Sequence, residues 1–231
     1  MRILMFLIIL LMISPVIAQE QAWCGITTLY FQHNESPTAI GYEELINRPS
    51  GNVEVDENIT ITSAMGWVEI DRYITPEGAL DDTLSDLSGL RRYRFYSYVS
   101  DASGITQLNF TPYLYRNGTL YQKFYSAESG DIGALTVTEY LLSHVSNSTL
   151  YFQHGDRIVI IVSAKTSHPS PIGIHWVYQG DTHTSHVESG YFVCLEEAKR
   201  LDTQQLTALP LPLWIVISAL ASVVILKRKR D

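Results

Sequence analysis

The densest run of metal-ligand residue types in the chain is Asp181, His183, His186 and Glu188, within eight residues. Two imidazoles and two carboxylates are donors that hold zinc or a related ion. On a regular strand, however, His183 and His186 point to opposite faces, because their separation is odd. They could share an ion only within a turn, and no HExxH or Cys–His spacing accompanies them. The expectation is two hydrogen-bonded histidines available for binding, with no metal and no cofactor. Acidic residues gather at Glu54, Asp56 and Glu57, and again at Glu77, Asp81, Asp82 and Asp86. Neither run has the spacing of a calcium loop, so both read as solvated surface. No Gly-x-Ser-x-Gly elbow, phosphate-cradling glycine loop or cysteine-nucleophile setting occurs. Carboxylate pairs for glycoside cleavage leave no mark in a sequence. The chain is therefore expected not to be an enzyme, with a carbohydrate-active enzyme or carbohydrate-binding module as the alternative.

Aromatic side chains are the richer resource. Fourteen tyrosines occur, and Tyr93, Tyr96, Tyr98, Tyr113, Tyr115, Tyr121 and Tyr125 fall on consecutive predicted strands. Core packing accounts for many of them. Those left on an outer face would give flat amphipathic contacts of the kind that bind sugars or proteins. The candidate binding residues are Tyr96, Tyr98, Trp176, His183 and His186.

Short β-rich runs separated by turn signals must position these groups. Residues 91–99 alternate, so that Tyr93, Phe95, Ser97 and Val99 share one face and Arg92, Arg94, Tyr96 and Tyr98 the other. Residues 108–115 and 119–125 flank Asn117-Gly118, a pair suited to the positive φ angles of a tight hairpin. Residues 157–164 are nearly all β-branched and predict a central buried strand. Further strands are predicted at 26–31, 59–62, 65–70, 135–142, 149–153, 172–178 and around 191–195, with a long surface loop over 75–89. Many short strands and few helix signals argue an all-β fold, an antiparallel β-sandwich of jelly-roll type.

The ends set the expected location. Residues 1–18 combine Arg2, an apolar run, Pro15 and small residues up to Ala18, the form of a cleaved signal peptide. Residues 208–226 carry no charge and would make a helix of about 28 Å, enough to cross a membrane. Lys227, Arg228, Lys229 and Arg230 follow as a basic cytoplasmic tail, 227–231. Residues 19–195 then form the extracellular domain and 196–207 a polar stalk. The expected location is the cell membrane, single-pass, with the domain outside and the C-terminus in the cytoplasm.

The whole chain has 16 Lys and Arg, 24 Asp and Glu, and a net charge of −8. Five of those cations (Arg2 and four in the tail) and one acid (Asp231) lie outside 19–207, so the exported part carries −12. Such a surface excludes nucleic acid as a partner. The two cysteines, Cys24 and Cys194, are expected to form one disulfide. It would close a loop of about 170 residues, contribute roughly 4–5 kcal/mol and bring the first and last strands together. Five Asn-x-Ser/Thr sequons, at Asn34, Asn58, Asn109, Asn117 and Asn147, are glycosylation candidates.

Three segments also resemble a known pattern. Gly155-Asp156-Arg157 opens a hydrophobic strand ending at Lys165-Thr166. An aromatic strand runs from Ile174 to Gly180, and a Thr-His-x-Ser-His segment spans Thr182 to Val187. This resembles the jelly-roll (TNF-like, fibre-type) attachment domains of phage tail and fibre proteins, over roughly residues 90–190. The resemblance implies surface attachment and a homo-oligomer, often a trimer. The combined expectation is a membrane-anchored, non-catalytic surface protein used in adhesion or recognition, held to the membrane by 208–226. Its ligand would be a glycan or an envelope protein. The alternative is a structural component of the envelope, of S-layer type.

Overall fold

The computed structural model describes residues 28–49, 53–81, 83–188 and 192–194. They build one mixed sheet, with a 3-10 turn at Ser63–Met65 and no α-helix among the described residues. In chain order the strands are β1 (Thr28–Glu35), β2 (Glu43–Ile46), β3 (Val55–Ile61), β4 (Val68–Ile74), β5 (Thr83–Val99), β6 (Thr106–Arg116) and β7 (Thr119–Lys123). Then come β8 (Ala127–Glu128), β9 (Thr138–Tyr151), β10 (Arg157–Thr166), β11 (Ile172–Tyr178), β12 (His186–Glu188) and β13 (Phe192–Cys194). Hydrogen bonding runs β3-β11-β5-β12-β1-β2-β4-β10-β6-β7, with β9 and β13 also on β5, and β8 on β6.

The sheet folds back on itself. From β5 to β6 is six steps along the hydrogen-bonded order, roughly 29 Å if the sheet were flat. Yet Phe110 of β6 lies 4.6 Å from the Tyr93 ring and 5.1 Å from the Phe95 ring of β5. It also lies 5.6 Å from Trp176 of β11. Only two halves facing each other permit this. Phe31, Tyr73, Tyr93, Phe95, Phe110 and Trp176 fill the space between them, each fully buried. The period-two pattern predicted for 91–99 holds: Tyr93, Phe95, Ser97 and Val99 are buried, while Arg92, Arg94, Tyr96 and Tyr98 face outward.

Other expectations are met or corrected strand by strand. β10 is the predicted central strand, bonded to β4 on one edge and β6 on the other. The Asn117-Gly118 turn takes φ angles of 52° and 78°, as a type I′ hairpin requires. Pairing is not wholly antiparallel, because β2 and β4 run parallel. The chain leaves β2, crosses to β3 beside β11, and returns as β4, which is the crossover a parallel pair demands. The loop predicted over 75–89 is shorter. Its polar second half joins β5, whose partner β9 runs unbroken through the segments expected as two strands. The terminal strands meet in part: β1 pairs with β12, and β13 lies on β5.

Residues 1–18, Cys24 and the expected stalk 196–207, span 208–226 and tail 227–231 lie outside the described residues. The expected Cys24–Cys194 disulfide therefore falls outside them too. Among the described residues no helix is long and apolar enough to cross a membrane. Of the sequons, Asn34, Asn58 and Asn117 are exposed. Asn109 is buried at 9% exposure and its Oδ1 accepts from Ser126 Oγ at 2.9 Å, so its amide has no room for a sugar. The Asn147 side chain is outside the described set, though its backbone lies in β9.

Candidate functional site

Two groups of polar side chains stand out, one on the outer face of the β5 half and one at the end of the fold where both halves meet. The outer group holds most of the binding residues read from the sequence. Strand register puts Tyr98 beside His175, Arg94 beside His186, and His186 beside Tyr30. The Tyr98 and His175 rings stack at 4.0 Å, Tyr96 and His183 meet at 4.9 Å, and Tyr30 and His186 at 5.3 Å. All six of these side chains are half-buried.

Carboxylates orient the row. Asp56 accepts from Tyr98 OH at 2.7 Å and holds His175 Nδ1 at 2.8 Å. Tyr96 OH donates to Glu139 at 3.0 Å, and His183 Nδ1 pairs with Glu54 at 2.5 Å. Donation to Asp56, with the nearby negative charge, pushes the Tyr98 phenol up to about 12. It thus stays a neutral donor at any ordinary pH. Trp176 is not part of this row. It belongs to the inward face of β11, is fully buried, and donates its indole N–H to Tyr73 OH at 2.9 Å. Its neighbour His175 faces out because adjacent residues on a strand alternate.

His183 and His186 do not converge on a common point. His183 pairs with Glu54, whereas His186 Nδ1 lies 3.0 Å from the Thr184 carbonyl. The metal-ligand types come together elsewhere, at His33 on β1, Glu43 on β2 and Glu57 on β3, whose donor atoms lie within 4.8 Å of one another. His33 Nδ1 is 2.6 Å from Glu43 Oε1 and 3.5 Å from Glu57 Oε1. Behind them a hydrogen-bonded chain leads into the core. Trp176 donates to Tyr73, Tyr73 hydrogen-bonds Tyr178, and Tyr178 OH donates to Glu43 Oε2 at 2.8 Å.

Asp71 of β4 hydrogen-bonds Glu43 from a second side. Burial, and then the Glu43 charge, hold the Asp71 carboxyl up at about 7. Burial also raises Glu43. Two carboxyls that hydrogen-bond each other and resist ionisation share a proton. Sequence reasoning missed this group because its members sit on five strands, and only the crossover that makes β2 and β4 parallel brings them together. The one signal was the acidic run that includes Glu57, which reads as solvent-facing.

No protein-family profile matches the chain, and no curated protein matches it in sequence. Solved structures resemble it distantly. An aminopeptidase from a marine sediment Thaumarchaeota archaeon aligns with 11% identity and a TM-score of 0.49, over 72% of this chain and 36% of its own. The Eiger TNF of S. frugiperda aligns with 8% identity and a TM-score of 0.29, over 71% of this chain and 92% of its own. The carbohydrate-binding module TmCBM61, solved with β-1,4-galactotriose, aligns with 11% identity and a TM-score of 0.22, over 53% of this chain and 88% of its own. The chain thus spans about a third of the length of the aminopeptidase.

Proposed function

We propose that this chain is a non-catalytic recognition module of the cell envelope that binds glycans through its outer face. In this reading the folded-over sheet is a jelly-roll sandwich, exported by residues 1–18 and held at the membrane by 208–226. The single observation that carries it is the contiguous row of Tyr30, Tyr96, Tyr98, His175, His183 and His186, braced by Asp56, Glu54 and Glu139. Rings fixed on a rigid sheet lose little entropy when a sugar stacks on them, and the braced polar tips and carboxylates supply hydrogen bonds to hydroxyls. A hydrolytic role for the Glu43–Asp71 pair fits poorly. They are in hydrogen-bond contact, whereas glycoside cleavage uses carboxyls about 5 Å or more apart.

The test is a glycan array probed with the full-length chain in detergent, beside the Tyr96→Ala and Tyr98→Ala variants. Binding to a defined glycan class, weakened about tenfold or more by either variant, supports the proposal; one lost ring contact is worth about 1–2 kcal/mol. Absence of any glycan signal, or binding indifferent to both variants, overturns it. Light scattering on the same sample tests assembly, with a trimer expected from the fibre-type resemblance.

A further inference from the structure

We propose that His33, Glu43 and Glu57 form a binding site for one divalent transition-metal ion of the zinc–manganese class. The site faces inward at the open end of the fold and stands independently of the glycan reading.

Geometry is the first support. The three donor atoms come from three strands and already lie within 4.8 Å of one another. Ligands about 2.1 Å from a tetrahedral ion are about 3.4 Å apart. His33 Nδ1 and Glu57 Oε1 are separated by 3.5 Å, which fits without movement. His33 Nδ1 and Glu43 Oε1 are 2.6 Å apart, a close contact that an ion would replace, spreading them by less than an ångström. The His33 side chain is 51% exposed, so its ring has room to make that shift, with the contact of its Nδ1 to Tyr178 OH at 3.2 Å giving way to the ion.

Charge is the second support. Glu43, Glu57 and Asp71 face one another, and the only basic side chain within ion-pair distance of them among the described residues is the His33 imidazole. Elsewhere the fully buried Asp156 is paired with Arg116. Here no lysine or arginine fills that role, and a doubly charged ion is the counter-charge the pocket fits.

The bracing of the donors is the third. Metal-binding side chains are commonly held by hydrogen bonds from behind. Glu43 receives the Tyr178 hydroxyl at 2.8 Å, and that hydroxyl is tied through Tyr73 to Trp176 in the core. The His33 backbone N–H donates to the buried side chain of Gln179 at 2.5 Å. Gln179 has φ 73°, a left-handed conformation that glutamine seldom adopts and that the surrounding structure must impose. The imidazole nitrogen selects the class of ion: calcium and magnesium prefer all-oxygen shells, whereas zinc takes mixed nitrogen and carboxylate ligands. Solvent reaches His33 and Glu57, so water completes the coordination.

Calorimetric titration of the full-length chain in detergent with zinc chloride tests the proposal, with calcium chloride in parallel. Thermal melting with zinc or with a chelator gives a second readout. The expected result is one zinc ion per chain, a higher melting temperature with zinc, and affinity reduced about tenfold or more in His33→Ala and in Glu57→Gln. His154→Ala, which removes a far-exposed histidine, should bind like the parent chain. If His33→Ala melts lower without metal, Glu57→Gln decides the matter. Absence of zinc binding at millimolar concentration, or equal affinity in the parent chain and Glu57→Gln, overturns the site. Calcium binding as tight as zinc overturns the imidazole assignment.

Discussion

At the scale of single residues, a buried polar group is costly to leave without its partner. Arg116 Nε and Nη2 donate to Asp156 Oδ1 and Oδ2 at 2.6 and 2.5 Å, and Asp156 is fully buried. Removing the acid leaves a half-buried guanidinium without its partner. Asp156→Ala is expected to lower stability by about 3 kcal/mol, read by denaturant titration. Tyr73→Phe removes the acceptor for the Trp176 indole and one link of the chain to Glu43. Its expected cost is about 1–3 kcal/mol by the same measurement. Asp71 sets a pH dependence. Its carboxyl sits at about 7 in the folded protein against an ordinary value of 3.8, so folding favours the protonated form. That contribution is complete below pH 3.8 and fades as pH rises through 7. With a chelator present, the melting temperature should fall between pH 5 and pH 8. Asp71→Asn should flatten that slope and be the more stable protein at pH 8, by an amount of order 1 kcal/mol.

At the scale of elements, exposure and pairing decide which strands open first. β10 is hydrogen-bonded along both edges, whereas every residue of β7 is exposed. Native-state hydrogen exchange should find the slowest amides in β10 and far faster ones in β7. Gly118 at φ 78° has open space around it, so Gly118→Ala costs only backbone strain, about 1 kcal/mol, and should leave the fold intact by circular dichroism. Elements were legible in the sequence where a local rule fixed them. Period-two alternation gave both faces of 91–99, and with them Tyr96 and Tyr98. Asn117-Gly118 gave its hairpin, and the β-branched run gave β10. The rule failed where pairing overrode composition. Residues 83–89 contain serines, aspartate and glycine and look like a loop, yet β9 zips along them. The His33–Glu43–Glu57 group was illegible for the same reason. Nothing local announces which strands will become neighbours, and a parallel crossover places β2 beside β4.

At the scale of the whole molecule, the two sets of polar side chains divide the labour. The outer row of rings lies on β1, β5, β11, β12 and the segment before β12, while the inward site needs β1, β2, β3, β4 and β11. His33 N bonds Gln179 across 146 positions, and Tyr178 reaches Glu43 across 135. Contacts so distant in sequence form late, since the loops between them must close first. A polypeptide interrupted before Tyr178 would present His33 and Glu43 to solvent as isolated side chains with no grip on anything. Ion capture would then act as a seal of completion, engaging only a molecule in which β1 and β2 have already met the end of β11.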